Sequence, residues 1–293
     1  MRLVVLGGWG QLGTDVAAVA AGRHEVVRPR HEDLDVTDGQ ALASVLGTVR
    51  PDAVINAAAF HKVELCEADP AQAFAVNALG GLLVARAARA VGARNVYIST
   101  DYVFDGEQRQ GYTEDDRVGP LNAYGVSKAA GELAVRQADP DAIVVRGSGL
   151  FGHAGSAGKG GNFVDNMIAR ARSGQPLSVV DDQVFAPTAT RDMADRVLQL
   201  LEREAPSGIY HAANSGSCSW FEFARSAIQF AGLDTVISPR ATGVDEPVRR
   251  PRYSILLDTK ASAVGLPPSR SWQDALAWYL ANRPEVVVAG HTA

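Results

Sequence analysis

Two cysteines in 293 residues, Cys66 and Cys218, cannot build a disulfide framework and suit a reducing cytoplasm. Positive charge is in deficit as well. The 28 Lys and Arg stand against 33 Asp and Glu, a net charge of −5, and no basic stripe interrupts the balance. That argues against nucleic acid as the main partner. No apolar stretch approaches the roughly 20 residues of a membrane span. The N-terminal run Leu3-Val4-Val5-Leu6 is too short for a signal core, and glycine follows at once. Internal repeats and long low-complexity tracts are also missing, which removes solenoids and arrays. What is left is an ordinary globular composition, 46% hydrophobic and 21% charged, long enough for a large core or two modest lobes.

Arg2 to Leu6 reads as a buried strand closed by Gly7-Gly8, and Gln11 to Ala21 as a helix of small apolar residues. Further strands are predicted at Glu25–Val27, Ala53–Asn56, Asn95–Ser99 and Ala142–Val145, with a long Ala-rich helix over Pro70–Val91 between two of them. Strands alternating with helices predict an α/β fold with a Rossmann doubly wound parallel sheet. Ligands bind such sheets at the carboxyl ends of the strands. The organisation expected is a dinucleotide-binding domain over 1–150, with sheet-extending segments from roughly 175–212, and a smaller C-terminal substrate lobe over 151–283. Helices are expected near Phe163–Ile168, Arg191–Glu204 and Trp220–Phe230, with Trp272 and Trp278 on a packed C-terminal helix. A tail over 284–293 carries no clear role.

Gly7-Gly8-Trp9-Gly10-Gln11-Leu12-Gly13 contains G-x-G-x-x-G between a strand and a helix, the context that a dinucleotide-binding turn requires. Gly7, Gly10 and Gly13 permit the turn and the close approach of a pyrophosphate, and the amides of Gln11 and Leu12 open the helix toward it. The second strand ends at Arg28, with Arg30 nearby, rather than at an acidic residue. An arginine there suits a 2′-phosphate, so NADPH is the expected cofactor and NADH the second choice. Asp35 is expected to cap a turn or to meet the adenine amine.

Tyr124-Gly125-Val126-Ser127-Lys128 spells Y-x-x-x-K, which on a helix sets a phenol and an ammonium on one face. A neighbouring cation lowers a tyrosine pKa and makes the phenol a proton donor to a carbonyl receiving hydride. Thr100, at the end of a strand, can donate a second hydrogen bond to the same oxygen. Plainer assignments hold elsewhere. His61-Lys62 reads as a solvated loop pair, Cys66 as a small buried thiol, Trp220 as the start of a packed helix, and Glu114-Asp115-Asp116 as loop surface. His153 and Lys159 lie in a glycine-rich loop, 152–161, and could reach a diphosphate.

The stretches GGWGQLG (Gly7–Gly13), NAAAFHKVELCEADP (Asn56–Pro70), VNALG (Val76–Gly80), STDYVFDG (Ser99–Gly106), PLNAYGVSKAAGE (Pro120–Glu132), NFVDNM (Asn162–Met167), VVDDQVFAPT (Val179–Thr188) and RRP (Arg249–Pro251) together resemble the extended short-chain dehydrogenase/reductases. Within them the chain is similar to the dTDP-4-dehydrorhamnose reductase family. The resemblance implies a nucleotide-sugar ketoreductase of deoxysugar biosynthesis, with Thr100, Tyr124 and Lys128 as catalytic triad. It implies that Ala57, Ala58 and Ala59 line the cofactor path and that Asn77 holds the lysine through water. Asp101 and Tyr102 would contact the sugar. Asn162, Phe163, Gln183, Pro187, Thr188 and Arg250 would line the nucleotide-sugar side, Arg250 taking the diphosphate with Arg249 and Arg252 as alternatives. A dTDP-linked substrate, a cytoplasmic setting and a homodimer fit the same resemblance.

Two departures stand out. The family's Arg-Thr-Ser-Trp after the fifth strand, whose tryptophan lies against the sugar, is here Arg146-Gly147-Ser148-Gly149. An arginine, Arg191, stands where some relatives carry an acid for Mg²⁺, so no metal is expected. Rival readings are a nucleotide-sugar epimerase or dehydratase, and a non-catalytic regulatory subunit of the methionine adenosyltransferase type. Tyr102 after Asp101 removes the Asp-Glu pair of the dehydratases.

Overall fold

A computed structural model describes residues 1–154, 161–243 and 246–283. Lys159 and the tail over 284–293 lie outside the described residues. The strands are β1 (Arg2–Leu6), β2 (Glu25–Val27), β3 (Ala53–Asn56), β4 (Arg94–Thr100), β5 (Ile143–Gly147), β6 (Leu150–Phe151), β7 (Leu177–Val180), β8 (Val184–Phe185), β9 (Thr188–Ala189), β10 (Gly208–His211), β11 (Cys218–Ser219), β12 (Ile237–Arg240) and β13 (Tyr253–Ser254). The helices are α1 (Gln11–Ala20), α2 (Gly39–Val49), α3 (Val63–Ala68), α4 (Pro70–Phe74), α5 (Gly81–Ala90), α6 (Ala123–Ala138), α7 (Phe163–Arg172), α8 (Thr190–Glu202), α9 (Trp220–Phe230) and α10 (Trp272–Ala281).

Six strands form one parallel sheet in the order β10-β5-β4-β3-β1-β2. The order reverses at β1, beside which β3 and β2 lie on opposite sides, and ligand sites of doubly wound sheets form at such a switch. Alternating side chains of the central strands feed two cores. Leu3, Val5, Ile55, Val96, Ile98 and Val145 pack under α1 and α8. Val4, Leu6 and Val54 pack on the other face, under Leu42 and Leu46 of α2 and Val84 of α5. All of these are buried, which is why the strands read as continuous apolar runs. The strand β10 and the helix α8 come from the second half of the chain and complete the sheet layer.

The helical run from Pro70 to Ala90 is continuous, as expected, but its middle, Ala75–Gly80, winds as a π-helix. At 21 residues it is long and apolar enough to cross a membrane, contrary to the expectation from sequence. Val84, Ala85 and Ala88 are buried against the sheet and α6, so the apolar face is a core face. The acidic cluster also differs from expectation. Glu114 is buried and accepts hydrogen bonds from the Thr259 hydroxyl and from the backbone N–H of Thr259, Lys260 and His211. It pins the C-terminal segment to the edge of the sheet.

The smaller elements β7, β8, β11, β12 and β13 assemble beside α7, α9 and α10. Aromatic side chains dominate their core, where Phe151, Phe185, Phe223, Trp272 and Tyr279 are all buried.

Candidate active site

The carboxyl ends of β1, β3, β4 and β5 open into a cavity of about 1070 Å³, large enough for a dinucleotide and a second ligand. At one end lies the glycine turn. Gly7 has φ +68, and a Cβ there would sit 2.7 Å from the Ala58 nitrogen. A Cβ on Gly13 would sit 2.5 Å from the Gly7 oxygen, so both positions exclude side chains. The helix α1 starts with Gly10 as N-cap and has no capping side chain, so among the described residues no cap competes for its first-turn amides. Ala57, Ala58 and Ala59, small and half-buried, form the adjoining wall with Gln11 and Leu12. This cradle fits a pyrophosphate bound on backbone N–H groups and a helix dipole.

Two expected cofactor residues fall elsewhere. Arg28 is not part of the cavity wall. Its guanidinium lies over the Trp9 ring, 4.2 Å from the centroid, and donates to the Gly8 carbonyl at 3.2 Å. Arg30 covers the same ring at 4.6 Å, and Pro29, His31 and Asp35 line the cavity instead. Asp35 accepts from the Thr37 N–H and hydroxyl, both at 2.8 Å, and these bonds hold its pKa below the ordinary value. Asn77 is buried away from the cavity wall. Its amide exchanges hydrogen bonds with both backbone groups of Phe60, at 3.0 and 2.9 Å, and donates to Ser127 at 2.9 Å. It thus clamps the loop after β3, from within the π-helical turn.

The middle of the cavity gathers the three predicted catalytic side chains. Asn122 caps α6 by accepting from the Gly125 N–H at 2.9 Å, which fixes Tyr124 in the first turn and Lys128 one turn on. Thr100 ends β4 on the same wall as Tyr124, and its hydroxyl acts on the Tyr124 pKa. The expected electrostatics differ in one respect. Burial pushes the Tyr124 pKa well up, and the Thr100 hydroxyl only partly opposes it. Lys128 is anchored on the strand that ends in Thr100. Its ammonium donates to the Ile98 carbonyl at 2.6 Å and lies 4.0 Å over the Tyr97 ring. Burial pulls the Lys128 pKa down to about 7, with the Glu132 carboxylate opposing the fall. The resulting neutral phenol is the form that can give up a proton.

Beneath Lys128 is a buried ionic cluster that the motif alone does not announce. Glu132 sits four residues on, on the same face of α6. Arg146 of β5 binds it through Nε at 2.8 Å and Nη2 at 2.6 Å, and the Ser99 hydroxyl donates to it at 2.5 Å. The i+4 spacing from Lys128 is the signal that could have marked Glu132. Asp101, also buried, accepts from Thr100 at 3.0 Å and Ser148 at 2.8 Å. Burial raises its pKa, and hydrogen bonds from Ser254, Ser148 and Thr100 work against that rise.

The far end of the cavity has a different character. Asp101, Tyr102, Asn162, Phe163, Gln183 and Arg250 line it as expected. Arg250 is ion-paired with Glu64 across the mouth and hydrogen-bonds Tyr102. Asn162 is mainly a cap for α7, accepting from Asp165 and donating to the Gly152 carbonyl and the Tyr279 hydroxyl. Pro187 and Thr188 do not reach the wall. β9 pairs with β6, which turns Thr188 into the core, where its hydroxyl donates to the Ala186 carbonyl at 3.0 Å. Two residues read more plainly from sequence are on the wall, with Phe185 beside them. His61 is half-buried there, Trp220 begins α9 but faces the cavity, and Phe185 stacks on Trp220. Their positions are scattered along the chain and no short motif links them.

A family model described as the RmlD substrate binding domain matches residues 1–284. The spore coat polysaccharide biosynthesis protein SpsK of Bacillus subtilis is 37% identical over 284 residues, 96% of this chain and 98% of that protein. A dTDP-4-dehydrorhamnose reductase of Streptomyces griseus is 40% identical over 283 residues, 94% of this chain and 91% of that protein. Among solved structures, dTDP-4-dehydrorhamnose reductase of Bacillus anthracis in complex with NADP superposes with a TM-score of 0.90 at 34% identity, covering 96% of this chain and 98% of that one. The family model, the relatives and the superposition each cover nearly the whole length, and the chain belongs to the RmlD substrate binding domain family.

Proposed function

We propose that this protein is an NADPH-dependent reductase of a nucleotide-linked 4-keto-6-deoxy sugar, the dTDP-linked form favoured. The observation that carries the reading is the convergence of Thr100, Tyr124 and Lys128 in one cavity with a glycine cradle that fits a pyrophosphate. The names of relatives support the substrate class, among them the reductase from Streptomyces griseus above and a dTDP-4-keto-6-deoxy-D-glucose reductase of Streptomyces niveus. The relative from Bacillus anthracis solved with NADP supports the cofactor.

A bound nicotinamide supplies hydride to the C4 carbonyl carbon. Tyr124 gives its phenolic proton to the carbonyl oxygen, which completes the alcohol. Thr100 donates a hydrogen bond that orients that oxygen. Lys128 binds the nicotinamide ribose, and its charge favours the phenolate left behind. Asn77 keeps the loop after β3 in place beside the cofactor. Asp101 and Tyr102 hold the sugar, and Arg250 exchanges Glu64 for the substrate diphosphate, to which its planar fork is matched. Along the chain, residues 1–150 with α8 and β10 carry the cofactor, and residues 151–283 carry most of the substrate contacts. Both cysteines are buried thiols outside any disulfide, which supports a cytoplasmic setting.

The test is Tyr124→Phe. NADPH oxidation with a dTDP-4-keto-6-deoxy sugar should fall by about 10²–10⁴-fold while NADPH binding persists. Undiminished turnover sinks the assignment of Tyr124. Wild-type protein that consumes no NADPH with such sugars, yet interconverts them with retained NAD, is an epimerase instead.

A further inference from the structure

The substrate end of the cavity contains a feature that the catalytic groups do not use. Phe185 of β8 and Trp220 of α9 are stacked, with ring centroids 4.0 Å apart and planes 20° from parallel. Phe163 meets the other ring of the pair edge-on, 4.7 Å from Trp220. All three line the cavity. The stack is seated against Gly149, which has φ +50. A Cβ there would lie 2.2 Å from Phe185 Cε2 and 2.3 Å from Cδ2, so no side chain fits between this backbone and the ring. Gly149 lies two residues beyond Gly147, which pairs in register with Thr100. Ser148, between them, donates to Asp101 at 2.8 Å and accepts from the Ala186 N–H at 3.4 Å. The aromatic stack is therefore tied to the strand ends that carry Thr100 and Asp101.

We propose that the Phe185–Trp220 stack receives the deoxygenated C5–C6 edge of the sugar and selects a 6-deoxy hexose over its 6-hydroxy counterpart. The inference rests on the ketoreductase reading above and adds to it the residues that choose the sugar. A hexopyranose is polar around its ring. Removal of O6 leaves one apolar edge, a methyl beside C5. The methyl gains by leaving water against aromatic carbon, whereas a hydroxyl buried there forfeits its hydrogen bonds. The polar groups that serve the other hydroxyls, Asp101, Gln183 and Ser254, belong to the same part of the cavity. Neither Phe185 nor Phe163 offers a polar atom, and the Trp220 indole N–H can only donate.

The discriminating ligands are dTDP-6-deoxy-D-glucose and dTDP-D-glucose, which differ only at O6, with dTDP alone as reference. Equilibrium binding to the NADPH-loaded protein should favour the 6-deoxy sugar by about tenfold, the usual size of a methyl-scale discrimination. In Phe185→Ala and Trp220→Ala the ratio should fall toward one, with dTDP and NADPH affinities held. Retained NADPH affinity also reports that each variant is folded, and Phe185→Leu provides the ring-free variant that keeps apolar volume. A wild-type ratio of one, or a ratio untouched by the substitutions, overturns the proposal. So does an equal loss of dTDP affinity, because the stack would then meet the base. Failure of the ketoreductase reading shows separately, as absent NADPH oxidation in wild type with the 6-deoxy preference intact.

Discussion

The two ends of the cavity are built on different principles. At the proposed cofactor end the wall is mostly backbone: Gly7, Gly10, Gly13, the first amides of α1 and three alanines. Side chains are excluded at Gly7 and Gly13, where a Cβ would collide with backbone. At the substrate end, recognition is almost all side chain: aromatic rings from β8, α7 and α9, a buried carboxylic acid, and an arginine held by a distant glutamate. The lesson is that a common ligand is met by the chain's shape, which few sequences can make, and a variable ligand by its side chains, which many can. The catalytic centre lies at the junction and shares both characters, a strand end and a helix face supporting a buried ionic cluster.

The strongest way to break this contrast is at that junction. Glu132→Gln leaves Arg146 buried without its carboxylate, at a cost of about 3–5 kcal/mol, read as a fall in the denaturant midpoint. The same substitution tests the chemistry. Lys128 carries its charge below its pKa of about 7, and the Glu132 anion holds that value up. Without the anion the neutral amine is favoured, the pKa falls, and the alkaline decline of kcat/KM moves to lower pH. Glu132→Asp keeps the charge and should keep the decline in place, whatever it does to stability.

A smaller effect is expected at the backbone end. Gly13→Ala puts a methyl 2.5 Å from the Gly7 oxygen, and relieving that overlap should cost about 1–3 kcal/mol. The loss should show as weaker NADPH binding in fluorescence titration, with nucleotide-sugar affinity of the loaded enzyme little changed. At the side-chain end the same addition is expected to behave differently. Gly149→Ala meets the rim of the Phe185 ring, and the double variant Gly149→Ala with Phe185→Ala should recover part of the loss, a coupling of about 0.5–3 kcal/mol in a double-mutant cycle. No such rescue exists at Gly13, whose neighbour is backbone. The smallest change is at the cavity mouth. Glu64 is 57% exposed, so its pair with Arg250 contributes under about 1 kcal/mol. Glu64→Gln should lower the KM for a dTDP-sugar by less than about fivefold, by freeing Arg250 for the diphosphate.

The ease of reading each part from sequence followed the same division. The glycine turn and Tyr124–Lys128 are local patterns, since the geometry they need is made within a dozen residues of chain. Strands β1, β3, β4 and β5 were legible because burial on both faces leaves continuous apolar runs, whereas β2 is a partly exposed edge strand. Arg28 has the type that matches a phosphate, and the fold sets its guanidinium over Trp9, a contact the sequence does not announce. For Asn77 and Thr188 the resemblance named the residues, and the packing decided which way they face. The meeting of Phe185, Trp220 and Gly149 carried no sequence signal, because it depends on β8 pairing beside β13 and β11 far along the chain. The missing tryptophan after Ser148 reads from sequence as a lost surface. In the fold that space is filled by Phe185.

Sequence alone determined the doubly wound sheet, the phosphate turn and the helix face bearing phenol and amine, because short-range sterics and burial periodicity dictate them. Tertiary structure alone decided the charge on Lys128, the orientation of Arg250 and the aromatic wall, because each depends on groups brought together from chain positions tens to hundreds of residues apart or on the exclusion of water around them.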